Sequence, residues 1–323
     1  MAKRPETGPA DVSPAEIGAN AAGPNRVGPD VVIAGASRSG TSYLAAHLAA
    51  HPSIDPGSVK EPNYFSRFFD RGSSWYDGLF SARTPGLRRM DASTSYTYPQ
   101  FADALDRLAE ASPDAFVVYS VRDPIPRAVS HFLYYRYYFR MEKADDFGEA
   151  LRANSYYADV GDYSFWLSKL LDTFSDSRIL VVPFELVTGS GPEVVAEICR
   201  GIGIAPPESA VAEERVKAHQ NNVVEFRSEG IRLAVKKFRR NRVYLRLRST
   251  IGPHRIRRVR SLFTRSAVLP SVEEALATCD EAQLRELREL EDRSRAAVEK
   301  YLIEQDDRIG LDWARHWTSA REA

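Results

Sequence analysis

Residues 35–42, Gly-Ala-Ser-Arg-Ser-Gly-Thr-Ser, combine two glycines with a cation and several hydroxyl groups, the residue types that bind oxyanions. They follow the apolar run 31–34 and precede a helical pattern, so they predict a strand-to-helix turn. Backbone N–H groups in such a turn and in the first helical turn form a concave, electropositive surface. The residues predicted to hold a phosphate there are Arg38, Ser39, Gly40, Thr41 and Ser42.

The spacing of the two glycines matches the phosphate loop of nucleoside triphosphatases, but the lysine of that loop is missing. In the pattern Gly-x-x-x-x-Gly-Lys-Ser/Thr, the lysine reaches the β- and γ-phosphates. Here Thr41 occupies its position, and the cation lies earlier, at Arg38. A nucleotide-dependent kinase is therefore the weaker alternative, with Asp91 as the aspartate that could hold its magnesium.

A second candidate segment is Lys60-Glu61, which precedes Pro62. A residue before proline avoids the right-handed helical region, so we expect this pair in an extended loop near the crevice. A carboxylate there could take a proton from a hydroxyl group, and a lysine could neutralise developing negative charge. A solvated charge pair is the alternative, and it is the commoner fate of such a dipeptide.

Arg122 and Ser130 form a third candidate pair. Arg122 follows the apolar run 116–121, and Asp123-Pro124 predicts the start of a helix. Ser130 lies a little more than two turns into that helix, so both side chains could face one phosphate at the end of the strand. A surface ion pair between Arg122 and Asp123 is the alternative.

The elements that must position these residues alternate along the chain. Strands are predicted at 31–35, around 90–92, at 116–121 and at 178–183, and helices at 42–50, 100–111, 126–140 and 281–303. Alternation of this kind predicts an α/β fold with a parallel sheet, helices on both faces, and ligands beyond the carboxyl ends of the strands. Trp313 and Trp317 are expected to pack back on the core.

Composition narrows the function classes. Lysine plus arginine equals aspartate plus glutamate at 44 each, which argues against a general binder of nucleic acid. Cys199 and Cys279 match no disulfide framework, and the histidines show no ligand spacing, so no metal is expected. Residues 1–29 predict a disordered leader without a signal peptide, so we expect a cytoplasmic protein with one domain at 30–323. The excess of arginine over lysine is typical of a bacterial gene.

Residues 215–265 predict a basic insertion in this neutral chain. They contain sixteen lysines and arginines but only two acids, Glu225 and Glu229. Such a segment could form a mobile lid over an anionic cofactor, or could contact a membrane surface or a lipid-linked acceptor. A non-catalytic protein that binds anions or membranes through this segment is a further alternative function.

Four segments, in this order, resemble the sulfotransferases that use 3′-phosphoadenosine-5′-phosphosulfate (PAPS), and among them the heparan sulfate glucosaminyl type. Residues 36–42 resemble the family's 5′-phosphosulfate loop, and Lys-Glu-Pro-Asn-Tyr-Phe at 60–65, followed by Trp75-Tyr76, resembles the segment with its catalytic glutamate. Residues 119–130 are similar to its 3′-phosphate-binding strand and helix, and 161–182 to a later helix and strand. The resemblance covers about residues 31–204.

This resemblance implies a P-loop-like sheet and in-line transfer of a sulfuryl group from PAPS to a hydroxyl or amine of a carbohydrate or small-molecule acceptor. It implies that Glu61 is the base, that Arg38 and Lys60 stabilise the leaving oxygen, and that Arg122 and Ser130 bind the 3′-phosphate. Ala92 stands where the heparan-type enzymes carry a lysine. The aromatic run 132–139 is too dense to be core alone, and exposed tyrosines there suit a sugar or aryl acceptor or, equally, a protein partner.

Overall fold

The structure, a computed structural model, describes residues 28–207, 224–226, 264–266 and 269–319. Its centre is a five-stranded parallel sheet with the strand order β2-β3-β1-β4-β5. The strands are β1 (Val31–Gly35), β2 (Ile54–Asp55), β3 (Arg88–Asp91), β4 (Phe116–Val121) and β5 (Ile179–Pro183). Because all five run in the same direction, the carboxyl ends of β1, β3 and β4 meet at one edge of the sheet.

Helices cover both faces of the sheet, which confirms the predicted fold class. The helices are α1 (Thr41–Ala49), α2 (Ser73–Asp77), α3 (Ala104–Ala111), α4 (Pro124–Leu133), α5 (Phe147–Ala153), α6 (Tyr156–Asp159), α7 (Tyr163–Thr173), α8 (Phe184–Gly189), α9 (Gly191–Gly201), α10 (Val272–Leu276), α11 (Glu281–Ile309) and α12 (Ala314–Ser319). Short 3-10 helices lie at Phe69–Arg71, Thr94–Thr97, Pro99–Phe101 and Asp176–Arg178, and a π-helix at Tyr134–Phe139 continues α4.

Alternate residues of the central strand face opposite cores. Val32 and Ala34 of β1 pack in one cluster with α3, α7 and α11, whereas Val31 and Ile33 pack in a second cluster with α1, α8 and α9. A strand that is buried on both faces must be apolar at successive positions. This requirement explains why β1 is a continuous apolar run in the sequence.

Helix α11 supports β5, the last strand in the order of the sheet. It starts at a capping box formed by Asp280 and Gln283, and it ends at Gly310, which has a φ of 67°. Near its end, Gln305 accepts a hydrogen bond from the Val181 N–H at 2.7 Å and donates one to the Val181 carbonyl at 2.9 Å. A side-chain amide thereby replaces a further strand on this edge.

Several predicted boundaries are wrong for identifiable reasons. No sequence pattern predicts β2, because its two residues are too short to show a period. The helix predicted at 100–111 starts at 104, after a separate 3-10 turn. The helix predicted at 126–140 starts at Pro124 and becomes a π-helix at 134. Trp313 and Trp317 are buried in the two sheet clusters, as predicted.

The predictions for the chain start and the basic segment fall mostly outside the described residues. Gly28 and Pro29, assigned to the leader, are buried, and the Ser112 hydroxyl donates to the Pro29 carbonyl at 2.7 Å, so the fold includes two residues more than predicted. In the basic segment, β6 (Val224–Phe226) pairs antiparallel with β7 (Thr264–Ser266). Its other residues lie outside the described ranges, and the lid stays a prediction. Within those ranges, no helix is both long and apolar enough to cross a membrane.

Candidate active site

The candidate phosphate loop joins β1 to α1, and its backbone depends on Gly40. This residue has a φ of 84°, and a Cβ atom there would lie 2.8 Å from Val187 Cγ1, so only glycine fits without strain. Gly40 also directly precedes α1 and has no side chain that could cap the helix. The N–H groups of the first turn are therefore suited to a ligand oxyanion.

Lys60 connects this loop to the second predicted segment. Its Nζ donates a hydrogen bond to Ser42 Oγ at 3.2 Å and lies 3.9 Å from Glu61 Oε1. Burial raises the pKa of Glu61, while Lys60 and Arg67 partly oppose the change. The Glu61 side chain keeps 39% of its surface exposed, so its carboxylate remains accessible to a second molecule.

The backbone of Glu61 differs from the predicted extended conformation. Its φ is 54°, and that of Asn63 is 51°, so both residues around Pro62 are left-handed. The proline does exclude the right-handed helical region, as predicted, but the local hydrogen bonds select the left-handed one instead. The Asn63 side-chain amide donates to the Glu61 carbonyl at 2.5 Å, and the Asn63 backbone N–H donates to Ser93 Oγ at 2.9 Å.

Arg38 lies on the other side of the loop and contacts α4. Its Nε donates to Ser130 Oγ at 3.1 Å, and its guanidinium lies 4.2 Å from the centre of the Tyr134 ring. Burial lowers the pKa of Arg38, and the charge of Arg122 lowers it further, whereas Tyr134 raises it. The structure thus brings the predicted residues Arg38 and Ser130 into direct contact.

Tyr134 interacts both with Arg38 and with the candidate base Glu61. Burial raises the pKa of its hydroxyl, Arg38 opposes that change, and Glu61 adds to it. The ring also stacks on Tyr138, with centroids 4.8 Å apart, and Tyr138 is 54% exposed. The prediction that some rings of the run 132–139 are exposed is confirmed.

Arg122 is held by its backbone and by an aromatic ring. Its N–H donates to the Tyr163 hydroxyl at 3.1 Å, which in turn donates to the Arg122 carbonyl at 2.7 Å. The guanidinium lies 4.7 Å from the centre of the Phe184 ring. The alternative pair with Asp123 is not formed, because Asp123 is paired with Arg295. Burial lowers the pKa of Arg122, which Tyr163 partly offsets.

Arg127 belongs to the segment that resembles the family's 3′-phosphate-binding strand and helix, but no role was predicted for it, and it lies directly behind the loop. It is completely buried, and its Nη1 donates to the Ser37 carbonyl at 3.4 Å and contacts His131 Nδ1 at 3.3 Å. Burial, Arg127 and Arg38 hold the pKa of His131 well below its usual range, so this imidazole is neutral. The i, i+4 spacing of Arg127 and His131 on a helix was the signal that could have identified them.

Asp91, the magnesium ligand of the kinase alternative, is buried and hydrogen-bonded within the protein interior. It is completely buried, and its carboxylate accepts hydrogen bonds from Tyr76 (2.8 Å), Tyr96 (2.6 Å) and Ser93 (2.6 Å). Burial raises the pKa of Asp91, and these three hydrogen bonds oppose the change. A carboxylate with these partners is poorly placed to bind magnesium. In the described ranges, no three His, Cys, Asp or Glu residues lie together as a metal site.

A cavity lies beside the candidate base. It has a volume of about 270 Å³ and is bounded by α1, the segment before Pro62 and the end of β3. Lys60, Glu61 and Ser42 provide its polar wall, while Met90 and Ala92 are among its apolar residues. The position at which the resemblance leads one to expect a lysine is therefore an apolar surface here.

Comparisons with known proteins agree with this geometry. The model of the family described as "Sulfotransferase domain" matches residues 28–266, which is more than half of the chain. The chain belongs to the sulfotransferase family. The match begins just before β1 and includes the phosphate loop, Lys60-Glu61 and the strand and helix that carry Arg122 and Ser130.

Curated relatives of this sulfotransferase include heparan sulfate glucosamine 3-O-sulfotransferase 6 of Mus musculus, which is 36% identical over 102 residues. That segment is 31% of this chain and 29% of the mouse protein. Heparan sulfate glucosamine 3-O-sulfotransferase 3B1 of Homo sapiens is 33% identical over 101 residues, 31% of this chain and 25% of the human protein. The match thus spans less than a third of either relative.

Among solved structures, a sulfotransferase from Alicyclobacillus acidocaldarius has a similar fold. The TM-score is 0.51 at 24% sequence identity, and the superposition covers 59% of this chain and 87% of that one. This likeness supports the α/β architecture. The predicted resemblance to the heparan-type sulfotransferases is confirmed by the curated relatives.

Proposed function

We propose that this protein transfers a sulfuryl group from PAPS to a hydroxyl or amine of a carbohydrate or small-molecule acceptor. The observation that carries the proposal is the position of Lys60, whose Nζ lies 3.2 Å from Ser42 Oγ and 3.9 Å from Glu61 Oε1. One cation therefore contacts both the phosphate loop and the candidate base. A transferase needs this arrangement because donor and acceptor must meet at a single point.

The residues around the loop fit the anionic donor. Arg122 and Arg127 both lower the pKa of Arg38, and Arg127 also lowers the pKa of Arg122. Within the described ranges, neither Arg122 nor Arg127 forms an ion pair with a carboxylate. The carboxylates of Glu185 and Asp123 offset the effect on Arg122 only in part. Clustered guanidiniums that are partly or fully desolvated are stabilised when an anion such as a bisphosphate binds.

In this proposal, the loop residues Ser39, Gly40, Thr41 and Ser42 hold the 5′-phosphate, and Arg122 and Ser130 hold the 3′-phosphate. PAPS supplies the sulfuryl group and a leaving oxygen whose negative charge grows during transfer. Arg38 and Lys60 neutralise that charge from two sides of the loop. Ser130 Oγ accepts a hydrogen bond from Arg38 Nε, so the same hydroxyl would also orient the Arg38 guanidinium.

Glu61 acts as the general base. It accepts the proton of the acceptor hydroxyl, and burial makes its carboxylate more basic than an ordinary glutamate. Lys60 favours the ionised form, which keeps the residue ready to accept a proton. The acceptor enters beside Tyr134, whose ring contacts Arg38 and whose hydroxyl is close enough to Glu61 for that carboxylate to raise its pKa.

The acceptor class follows from the apolar and aromatic character of the walls. Tyr134 and Tyr138 form an aromatic stack that suits the face of a sugar or an aryl ring. Ala92 provides no cation for a sulfated chain. The relatives are named for heparan sulfate glucosamine, and here we propose a less anionic carbohydrate or a small molecule. The cytoplasmic location and bacterial source stay predictions.

Donor competition tests this function. The protein is incubated with radiolabelled PAPS or γ-labelled ATP, each with a glucosaminyl oligosaccharide or 4-nitrophenol as acceptor. We expect label transfer from PAPS to one of these acceptors, inhibition by adenosine 3′,5′-bisphosphate, and no transfer from ATP. Transfer from ATP would favour the kinase instead. Binding of the bisphosphate without transfer to either acceptor, or to water, would favour a non-catalytic anion binder.

A further inference from the structure

A continuous chain of hydrogen bonds runs from the buried end of β3 to the backbone of Glu61. Asp91, at the end of β3, accepts a hydrogen bond from Ser93 Oγ at 2.6 Å. Ser93 Oγ accepts one from the Asn63 N–H at 2.9 Å, and the Asn63 amide donates to the Glu61 carbonyl at 2.5 Å. The sheet is therefore connected to the candidate base by three successive hydrogen bonds.

The direction of each hydrogen bond in this chain is fixed by its neighbours. Asp91 also accepts from the hydroxyls of Tyr76 and Tyr96, so its carboxylate acts only as an acceptor. Ser93 has a single proton, which it donates to Asp91, and its oxygen is then left to accept from Asn63. Because each of these hydrogen bonds can form in only one direction, residues 61–63 have one favoured position relative to β3.

The orientation of the Asn63 side chain is fixed in the same way. Its Oδ1 accepts a hydrogen bond from Ser95 Oγ at 2.5 Å, while its Nδ2 faces the Glu61 carbonyl. Ser66 Oγ lies 2.6 Å from Ser95 Oγ and supports that hydroxyl. If the Asn63 side-chain amide were flipped, its oxygen would face the Glu61 carbonyl oxygen, and its NH₂ group would face the proton of the Ser95 hydroxyl.

These contacts act on backbone conformations that are otherwise unfavourable. Glu61 and Asn63 have φ angles of 54° and 51°, a region that non-glycine residues seldom adopt. Glutamate has no local side-chain interaction that favours this region, whereas asparagine adopts it more readily. The Glu61 conformation therefore depends on the hydrogen bond from Asn63, and this conformation determines where the carboxylate lies.

We propose that Asn63 is a positioning residue that holds the Glu61 carboxylate at the phosphate loop, with Asp91 and Ser93 as its anchor in the sheet. This inference rests on the proposed role of Glu61 as the base. Asn63 touches neither donor nor acceptor. Its contribution is to keep Glu61 beside Lys60, where a misplacement of about 1 Å costs on the order of a hundredfold in rate.

The substitution Asn63→Asp isolates this hydrogen bond. Aspartate has nearly the same size, tolerates a positive φ, and still accepts from Ser95, but it cannot donate to the Glu61 carbonyl. We expect turnover with labelled PAPS to fall about tenfold to a hundredfold. The affinity for adenosine 3′,5′-bisphosphate, measured by calorimetry, should stay within about threefold, because the loop is unchanged. Asn154→Asp, at an exposed helix end where the side chain only accepts from Tyr156 N–H, is the matched control and should behave as wild type.

A readout that does not depend on activity is hydrogen exchange of residues 60–66 in the protein without nucleotide. We expect faster exchange in Asn63→Asp than in wild type, with the rest of the described domain unchanged. Ser95→Ala is the second variant if Asn63→Asp fails to fold. It removes only the hydroxyl that orients the amide and should lower turnover about threefold to tenfold.

Normal turnover of Asn63→Asp would overturn the inference, and so would a parallel loss of turnover and bisphosphate affinity, which would indicate general damage to the fold. Glu61→Gln is measured beside it to separate the two proposals. If Glu61→Gln is fully active, the base assignment itself fails. If Glu61→Gln is inactive while Asn63→Asp is normal, only the positioning role fails.

Discussion

The two sides of the phosphate loop handle charge in opposite ways. On the donor side, the half-buried Arg122 and the completely buried Arg127 contact aromatic rings, carbonyls and an imidazole, and neither forms an ion pair with a carboxylate among the described residues. On the base side, the buried carboxylate of Asp91 has three donors of its own, and Glu61 has Lys60. The donor side thus has an excess of positive charge that an anionic ligand would balance, because Glu185 and Asp123 offset the charge around Arg122 only in part. The carboxylates of the base side already have partners.

Arginines elsewhere in the fold do form ion pairs with carboxylates, so the unpaired state of Arg122 and Arg127 among the described residues is particular to the site. Arg89 pairs with Asp77 at 2.5 Å, Arg293 with Asp162 at 2.8 Å, and Arg295 with Asp123. The comparison indicates that the donor side should respond strongly to an anion. The base side should instead govern the rate without affecting binding of the nucleotide.

The largest effect is expected on the base side. Glu61→Gln removes the proton acceptor but keeps the shape of the side chain, so transfer should fall by about 10²–10⁴. Affinity for adenosine 3′,5′-bisphosphate should stay within about threefold, because Glu61 is not a ligand of the nucleotide. Initial rates and calorimetry on the same samples check both values, with the exposed Glu193→Gln as the control. A normal rate would place the base elsewhere.

Arg122→Ala tests the donor side. Loss of one charge-assisted contact, worth about 1.5–3 kcal/mol, should weaken binding of the bisphosphate about tenfold to a hundredfold. The exposed Arg315, paired with Asp312 at 3.3 Å, gives the matched control Arg315→Ala, which should leave binding unchanged. Equal affinities in Arg122→Ala and wild type would show that the buried cations of this side serve only the fold.

Lys60→Ala acts where the two sides meet. We expect turnover near neutral pH to fall about tenfold, less than for a buried cation because water can partly replace this exposed ammonium. The pH profile should change as well. Protonated Glu61 cannot accept a proton, so the wild-type rate falls as the pH drops through its raised pKa. Because Lys60 lowers the pKa of Glu61, removing Lys60 should move the acidic limb of the profile to higher pH. If the limb does not move, Lys60 does not influence the pKa of the base.

Ser130→Ala should have the smallest effect. A neutral hydrogen bond contributes about 0.5–1.5 kcal/mol, so bisphosphate affinity should fall about threefold to tenfold. Because Ser130 Oγ accepts from Arg38 Nε, some of this loss reflects a less ordered guanidinium. Ser130→Thr keeps the hydroxyl and should restore most of the affinity. A larger loss than in Arg122→Ala would reverse the assigned order of importance.

The sequence was sufficient for the elements whose pattern is local. β1, β4 and β5 are continuous apolar runs because both of their faces are buried, and that pattern depends on no distant residue. The phosphate loop was predictable for the same reason, since its glycine spacing and hydroxyls lie within eight residues. The order of the strands then brings Arg122 and Ser130 to the loop.

The parts that were not predicted depend on distant partners. The conformation of Glu61 is determined by Asn63 together with Ser93 and Ser95, which lie about thirty residues further along the chain. The burial of Arg127 depends on Tyr157, whose carbonyl accepts from it. The kinase alternative kept Asp91 as a magnesium ligand because its burial, and its bonds to Tyr76 and Tyr96, cannot be read from a single segment.

The central claim is that the donor side is built for a nucleotide with a phosphate at the 3′ position as well as at the 5′ position. The most direct test is calorimetry of the unmodified protein with adenosine 3′,5′-bisphosphate and with adenosine 5′-monophosphate under the same conditions. Charge-assisted contacts to the additional phosphate predict that the bisphosphate binds at least about tenfold more tightly. Equal affinity for the two nucleotides would contradict the account.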